Sequence, residues 1–458
     1  MIKTFVLDTN VLLQSPTALL SFGDNKVVLT EAVLEELDSF KKGNQEINEN
    51  ARIAIRLINE LRSKGKLTQG VLMDNGGILK IETNHYDIEL PGSWEPKKAD
   101  NRILQVCKAL QNEGEAVYLI TKDVMERIKA DIIDVATEDF ESEMAPKVNE
   151  QYKGRRDIYI DATDLDKFYL KGSLFIKDLM LYDDKGELDT IPFFPHEFVI
   201  IHSLVNIKQT ALGKVNGTIR EIKALVFADE HPYGITPRNA GQKFMQEMLM
   251  ADVDDIPLVI VKGVAGTAKT FLSLSVGLQR VVEDKEYRKI LVCRPNVSMD
   301  EDLGFLPGSE QEKIAPYMRP IKDNLEILVD GSAKDRYEDE TELSEKVAEL
   351  FERGYIVTEA VGFLRGRSIA KTFVIIDEAQ NLSAKQCKAI ITRCGEGTKI
   401  VLIGDPDQID NCYVNSRSNG LSWAADRMKG SKYCAQITMD AEDCMRSKLA
   451  EDAINRLK

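Results

Sequence analysis

Two groups of side chains in this 458-residue chain have the types and spacing for phosphate chemistry. The first is Gly263-Val264-Ala265-Gly266-Thr267-Ala268-Lys269-Thr270, which follows an apolar strand pattern at 257–261 and opens a helical pattern at 271–282. Strand, glycine-rich loop and helix are the context in which backbone N–H groups and a helix N-terminus cradle phosphate oxygens. Lys269 would reach the β- and γ-phosphates, and Thr270 would bind Mg2+. Ala268 stands where a second glycine is expected. If that residue needs a positive φ, alanine is strained by roughly 1 kcal/mol; if it already belongs to the helix, alanine is harmless. A buried strand pattern at 373–376 ends in Asp377-Glu378-Ala379-Gln380. Asp377 can ligate the same cation there, and Glu378 can orient the attacking water. A solvated acidic pair is the bland alternative, and Lys269 and Thr270 upstream weigh against it. A further strand pattern, 400–403, ends in Gly404-Asp405-Pro406-Asp407-Gln408, from which Asp405 and Gln408 could sense a γ-phosphate.

The second group is acidic. Asp8 ends a strand pattern at 4–7, and Glu35 and Glu36 lie in a helical pattern after the strand at 26–29. Asp100 opens a helical pattern carrying Ile103, Leu104, Val106, Cys107 and Leu110, and Asp123 follows a strand at 117–120. In a parallel α/β sheet, strand ends and helix starts converge on one edge. The chain has four histidines and no His-Glu-x-x-His run, so convergent acids serve best as oxygen ligands for Mg2+ or Mn2+. Such ions activate water and stabilise in-line displacement at phosphate. An Asp at a strand end is often only a helix N-cap, and for Asp100 alone that reading stays open. For all four acids together, metal binding is the stronger account.

The elements that position these groups fall into three regions. Residues 1–145 alternate strands with helices. Residues 146–228 hold short β-like runs (158–160, 173–176, 198–202, 223–227) broken by Gly and Pro, which reads as a small β-rich module. Residues 229–458 return to strand–helix alternation. The acidic segment around 334–353 reads as a solvated helix. Tyr152-Lys153-Gly154-Arg155-Arg156 with Lys167, Lys171 and Lys177 is the most basic stretch, and Tyr159, Phe168 and Tyr169 interleave it. It reads either as a solvated basic face over core aromatics or as a single-strand guide working by charge and stacking.

Composition bounds the class. Apolar content of 43% and charged content of 29% are ordinary for globular domains, and no apolar run reaches the ~18 residues of a membrane span. Met1 leads within a few residues into a charged strand pattern, so no leader is expected. The seven scattered cysteines form no Cys-x-x-Cys pair, which points to free thiols in a reducing, cytoplasmic setting. A net charge of −15 excludes a simple nucleic-acid-coating protein. It leaves room for a nucleic-acid enzyme, because bound cations reverse the local field.

Longer runs carry resemblances. Over residues 1–135, Val6-Leu7-Asp8-Thr9-Asn10-Val11-Leu12, Glu35-Glu36-Leu37-Asp38, Asp100-Asn101-Arg102-Ile103-Leu104 and Leu119-Ile120-Thr121-Lys122-Asp123 resemble the PIN family of nucleases. The resemblance implies that Asp8, Glu36, Asp100 and Asp123 hold the metal, with Glu35 an alternative to Glu36 and with Thr9 and Asn10 supporting Asp8. It also implies RNA as substrate. Asp-Glu-Ala-Gln with Gly-Asp-x-x-Gln is similar to superfamily 1 helicases. Arg294-Pro295 through Gly304-Phe305-Leu306-Pro307-Gly308 to Pro316-Tyr317, Leu364-Arg365-Gly366-Arg367-Ser368, and residues 377–381 followed by Thr392-Arg393 resemble the PhoH family of ATPases over about 235–450. That resemblance implies ATP, with adenine read by Thr236-Pro237-Arg238-Asn239 and Gln242, and a phosphate-sensing Arg446.

The expected fold class is α/β: a three-layer, parallel-sheet PIN-like domain, a β-rich module and a RecA-like P-loop domain. Residues 229–458 suffice for one RecA-like core, whereas superfamily 1 helicases close their site with an arginine from a second. That arginine must then come from another subunit, with Arg365, Arg367 and Arg393 as candidates. A homo-oligomer follows, and the PhoH resemblance implies a hexameric ring.

Overall fold

A computed structural model of the chain describes residues 2–43, 45–92, 94–95, 97–140, 145–295, 310–332, 340–364, 369–411 and 414–444. Cys412, Arg365, Arg367 and Arg446 lie outside the described residues. The chain falls into two compact units, Met1–Met144 with Cys412–Ser418, and Ala145–Asn411 with Asn419–Lys458.

Among the described residues, the first unit is built on six strands: β1 (Lys3–Leu7), β2 (Lys26–Thr30), β3 (Val71–Leu72), β4 (Ile78–Glu82), β5 (Ala116–Ile120) and β6 (Ala136–Glu138). Their order is β3-β4-β2-β1-β5-β6, and every pairing but the β3–β4 edge is parallel. Helices α1 (Thr9–Gln14), α2 (Glu31–Phe40), α3 (Glu46–Ser63), α4 (Ala99–Asn112) and α5 (Val124–Ile132) supply the crossovers that parallel strands require. The central strands are apolar almost throughout, as sheets covered on both faces demand. The β1–β5 register pairs Leu7 with Ile120, so Asp8 and Thr121 leave the sheet side by side. The 412–418 segment joins this unit, where Asn415 Nδ2 donates to Asn50 Oδ1 at 2.7 Å.

The second unit contains two sheets. Strands β7 (Arg155–Ile160), β8 (Ser173–Phe175), β9 (Phe198–Ser203), β10 (Thr210–Val215) and β11 (Glu221–Ala224) form a mainly antiparallel sheet ordered β7-β9-β10-β11-β8. Helix α6 (Ala162–Lys171), which the sequence reading passed over, lies between β7 and β8 and ends on Gly172 in the left-handed region. The strand expected at 223–227 sits at Glu221–Ala224 instead, because Val226 and Phe227 turn out of the ladder to donate their N–H groups to Glu247. The remaining strands are β12 (Leu258–Gly263), β13 (Lys289–Arg294), β14 (Ile356–Ala360), β15 (Thr372–Ile376), β16 (Lys399–Gly404) and β17 (Cys434–Met439). They form a fully parallel sheet ordered β14-β13-β15-β16-β12-β17.

Alternation along these parallel strands feeds two cores. Val259, Val261, Val292, Phe373, Ile375 and Val401 face one side, with α7 (Ala240–Met250), α8 (Lys269–Leu278), α9 (Glu310–Ser332) and α10 (Glu340–Glu352). Ile260, Leu291, Val374, Ile376 and Leu402 face the other, with α11 (Ala384–Ile391) and α12 (Gly420–Arg427). Helix α10 fulfils the expected acidic helix, yet it is not solvated all round: Val347 is buried, and Leu343, Leu350 and Phe351 pack on the core.

The β-rich sheet does not stand apart from this core. In β9, Val199 and Ile201 face its own core, while Phe198 stacks on Phe244 of α7 at 4.8 Å. Lys153 O accepts from Thr438 N of β17 at 2.7 Å, and Gly154 packs against the β17 backbone. Gly154 has φ +74°, and a Cβ there would lie 1.8 Å from Gln436 O. Left-handed strain and backbone overlap add, so Gly154→Ala should cost roughly 2–4 kcal/mol. A urea-unfolding midpoint that does not move would contradict this packing.

Candidate functional sites

In the first unit, Asp8 occupies the N-cap position of α1, yet its carboxylate makes no cap hydrogen bond. It turns instead to Thr121, whose hydroxyl donates to Asp8 Oδ2 at 2.7 Å. Asn10 holds the 121–122 segment, donating to Thr121 Oγ1 and accepting from Lys122 N. Thr9 supports Asp8 through its backbone, while its hydroxyl donates to Glu36 Oε2 at 2.5 Å. The structure separates the two adjacent glutamates. Glu36 is half-buried beside Thr9, whereas Glu35 is exposed and paired with Arg102 at 2.6 Å. Asp100 lies in the first turn of α4, between the ammonium groups of Lys98 at 3.5 Å and Lys129 at 3.7 Å.

Asp123 behaves differently. It is exposed and caps α5, its Oδ1 accepting from Met125 N at 2.7 Å and Glu126 N at 3.4 Å. The acid that α5 buries beside Asp8 is Glu126, which the sequence reading missed. Its only signal was an acidic residue, one turn past the cap, on the face that also carries Ala130.

Burial raises the pKa of Asp8, partly offset by hydrogen bonds from Glu126 and Thr121. Burial raises Glu36 as well, with the charges of Asp8 and Asp100 adding to it. Glu126 is held well above the ordinary carboxylate range by burial and by the charge of Asp8. These acids therefore share one electrostatic environment. Among the described residues, no three acids, histidines or cysteines converge closely enough to hold a metal ion as they stand. The donor chemistry nonetheless fits a hard divalent cation: all-oxygen, mutually repelling, and with Glu126 Oε1 buried without a hydrogen-bond partner.

In the second unit, β12 runs into the glycine-rich loop, and Ala268 begins α8 with φ +65°. The strained alternative of the sequence reading is the one observed. Lys269 Nζ donates to Gly263 O at 2.6 Å and Val264 O at 2.9 Å. Burial lowers the Lys269 pKa, with Asp405, Asp377 and Glu378 opposing the shift. Thr270 Oγ1 donates to Asp377 Oδ1 at 3.0 Å, which places hydroxyl and carboxylate as a Mg2+ site between loop and strand end needs them. Burial raises Asp377 despite the Arg294 guanidinium. Arg294 bridges both acids, Nε to Asp377 Oδ2 at 3.2 Å and Nη2 to Glu378 Oε1 at 2.8 Å.

Asp405 Oδ2 accepts from Ala265 N at 3.0 Å, tying the end of β16 to the loop. Gln408 contributes its backbone carbonyl to Gln380 Nε2 at 2.7 Å. Gln380 is the hub the sequence reading passed over: it also donates to Glu378 Oε2 at 2.6 Å and accepts from Asp405 N at 3.1 Å. Gln242 is buried, and its Oε1 accepts from Arg238 N at 2.8 Å. Asn239 caps α7 and donates to Asp443 O at 3.0 Å.

The basic stretch of the β-rich sheet is largely committed internally. Arg155 pairs with Asp443 at 2.6 Å and Asp440 at 3.3 Å. Arg156 pairs with Asp189 and Glu197, its guanidinium over Phe193. Tyr152 packs on Phe194 under Lys429. The run 152–156 is thus tied into the packing of its own unit, as the reading of a basic face over core aromatics expects. Tyr169, Lys171, Phe175 and Lys177 remain exposed.

The family model for PhoH-like proteins matches residues 234–458, and a PIN domain model matches residues 5–141. The chain is 41% identical over 446 residues to Protein PhoH2 of Bacillus subtilis, covering 96% of each chain. Proteins of the same name from Mycolicibacterium smegmatis and Thermobispora bispora are 31% and 30% identical, over 96% and 95% of this chain and 94% and 93% of theirs.

Two measurements check the geometry. Ala268→Gly removes left-handed strain at the loop and should raise stability by roughly 0.5–1 kcal/mol; a melting temperature that falls would contradict it. A carboxyl whose folded-state pKa lies above its unfolded value contributes stability that is whole below the ordinary carboxylate range and is lost as pH rises. Asp8, Glu36 and Glu126 all shift this way. With chelator present, the first unit should therefore lose stability between about pH 5 and pH 8, and Glu126→Gln should flatten that loss. Stability rising over the same window would contradict the shared burial.

Proposed function

Because the chain belongs to the PhoH-like protein family, with a PIN domain ahead of its PhoH domain, we propose that it is an ATP-hydrolysing RNA-processing enzyme. In this reading a metal-dependent endoribonuclease in the first unit is paired with an ATPase that moves or remodels RNA, in the cytoplasm. The observation that carries it is the presence in one chain of two groups suited to phosphate chemistry: Thr270 bonded to Asp377 beside Lys269, and Asp8, Glu36 and Asp100 within one another's fields.

In the ATPase, loop amides and Lys269 bind the triphosphate of ATP, and Gln242 reads adenine. Thr270 and Asp377 hold Mg2+, and Glu378, fixed by Arg294 and Gln380, orients the attacking water. Asp405, Gln408 and Arg446 respond to the γ-phosphate. In the nuclease, Asp8, Glu36 and Asp100 hold Mg2+ or Mn2+, with Asp123 the fourth expected acid. Such ions supply an activated water and neutralise charge at the scissile phosphate. Lys129, 3.7 Å from Asp100, adds a cation beside this set. A single RecA-like core calls for an arginine in trans, so the working form is a homo-oligomer, a hexameric ring by analogy. Arg393 is exposed on the turn after α11 and is a candidate beside Arg365 and Arg367.

A second reading is an ATPase switch whose PIN domain binds RNA or protein without cleaving. Asp123, exposed and engaged by Met125 N and Glu126 N rather than turned to Asp8, favours it. Labelled single-stranded RNA incubated with Mn2+ separates the two. Asp8→Asn should cut cleavage on the order of 100-fold or more and leave ATP hydrolysis intact, while Lys269→Ala should abolish ATP hydrolysis. Wild type and Asp8→Asn that are equally inactive on RNA would establish the switch. Light scattering on the purified protein should give a multiple of the chain mass; a monomer with full ATPase activity would end the trans-arginine argument.

A further inference from the structure

Among the described residues, Glu126 is the one buried acid of the first unit that this reading leaves without a role. It sits three residues past the Asp123 cap and is 2% exposed. Ala130, one turn further on the same face, is fully buried, so the position is one where a hydrophobe would ordinarily pack. The carboxyl instead shares hydrogen bonds with Asp8 and Thr121 and lies within the fields of Asp8 and Asp100. Glu126 Oε1 is itself buried and without a hydrogen-bond partner.

A buried carboxylate oxygen with nothing to bond is disfavoured unless something it can ligate approaches. A packing role does not account for it, since an apolar side chain would fill the same space at no polar cost. Asp123 is placed the other way, with its Oδ1 engaged by two backbone N–H groups at the start of α5.

We propose that Glu126 is an additional ligand of the divalent cation held by Asp8, Glu36 and Asp100, entering the cluster through its buried Oε1. The assignment rests on the metal-dependent reading above. It makes the cation site a product of α5 as well as of the strand ends: β5 leads through Thr121, which orients Asp8, and the first turn of α5 brings in Glu126. Adding a carboxylate to an all-oxygen set raises affinity for hard divalent cations, and it sets the cation deeper than the exposed Asp123 carboxylate would.

The test is Mn2+ titration of the full chain without nucleotide, following loss of the free Mn2+ signal by electron paramagnetic resonance. Wild type, Glu126→Gln and Asp8→Asn are compared, with melting curves confirming the fold of each. Glu126→Gln should bind Mn2+ about 10-fold more weakly or worse, and Asp8→Asn should do the same. Uptake lost in Asp8→Asn but unchanged in Glu126→Gln overturns this assignment and leaves the metal-dependent reading standing. Uptake absent from wild type, or unchanged in Asp8→Asn, overturns both. Should Glu126→Gln fail to fold, Glu126→Asp, which keeps the charge and withdraws the oxygens by one methylene, takes its place with the same outcomes.

Discussion

Carboxylates held together in poorly solvated ground repel one another, and each must find a proton, a cation or a donor. That constraint organises both candidate sites. In the second unit it is met by Arg294, which spans Asp377 and Glu378, and by the Thr270 hydroxyl. In the first unit no guanidinium enters among the described partners of Asp8, and its neighbours are Thr121 and a second acid, Glu126. The same problem is thus met with fixed cationic charge at one site and with hydroxyls and a shared carboxyl at the other. The second arrangement is the one a divalent ion would relieve most.

Parallel sheets make such concentrations of charge possible. Strand ends are brought within a few ångströms by backbone pairing, whatever side chains follow them. The Leu7–Ile120 register sets Asp8 beside Thr121, and β12 between β16 and β17 sets the glycine-rich loop beside Asp405. The β-rich sheet is bound into the same frame. Gly154 lets its chain touch the β17 backbone, and Arg155 reaches Asp443, whose carbonyl accepts from Asn239 at the start of α7. A chain of direct contacts therefore runs from the β-rich sheet to the segment bearing Gln242.

Much of this was legible in the residues. The strand–loop–helix run at Lys269, the acids after β15 and β16 and Asp8 after β1 depend on local pattern, and they lie at the strand ends where that pattern puts them. What escaped depends on rotation and packing. Glu35 and Glu36 are neighbours on α2, and only the docking of that helix turns Glu36 to Thr9 and leaves Glu35 to Arg102. The backbone angle of Ala268 is set by the loop's closure rather than by the residue type. Asp123 and Glu126 share a helix start, where strand-end position singles out the exposed acid and nothing local marks the buried one. The basic run at 152–156 was ambiguous because its partners, Asp440, Asp443, Asp189 and Glu197, are remote in sequence. The β-rich sheet looked independent because alternation in β9 feeds two cores, and a period of two cannot say which core each face meets.

Both proposed activities require a divalent ion, one among Asp8, Glu36 and Asp100 and one against Thr270 and Asp377. Anomalous scattering from crystals grown with Mn2+ and a non-hydrolysable ATP analogue tests it most directly. One Mn2+ peak is expected within ligating distance of Asp8 and a second against Thr270 and the nucleotide phosphates. A map with the second peak and none at Asp8 would contradict it.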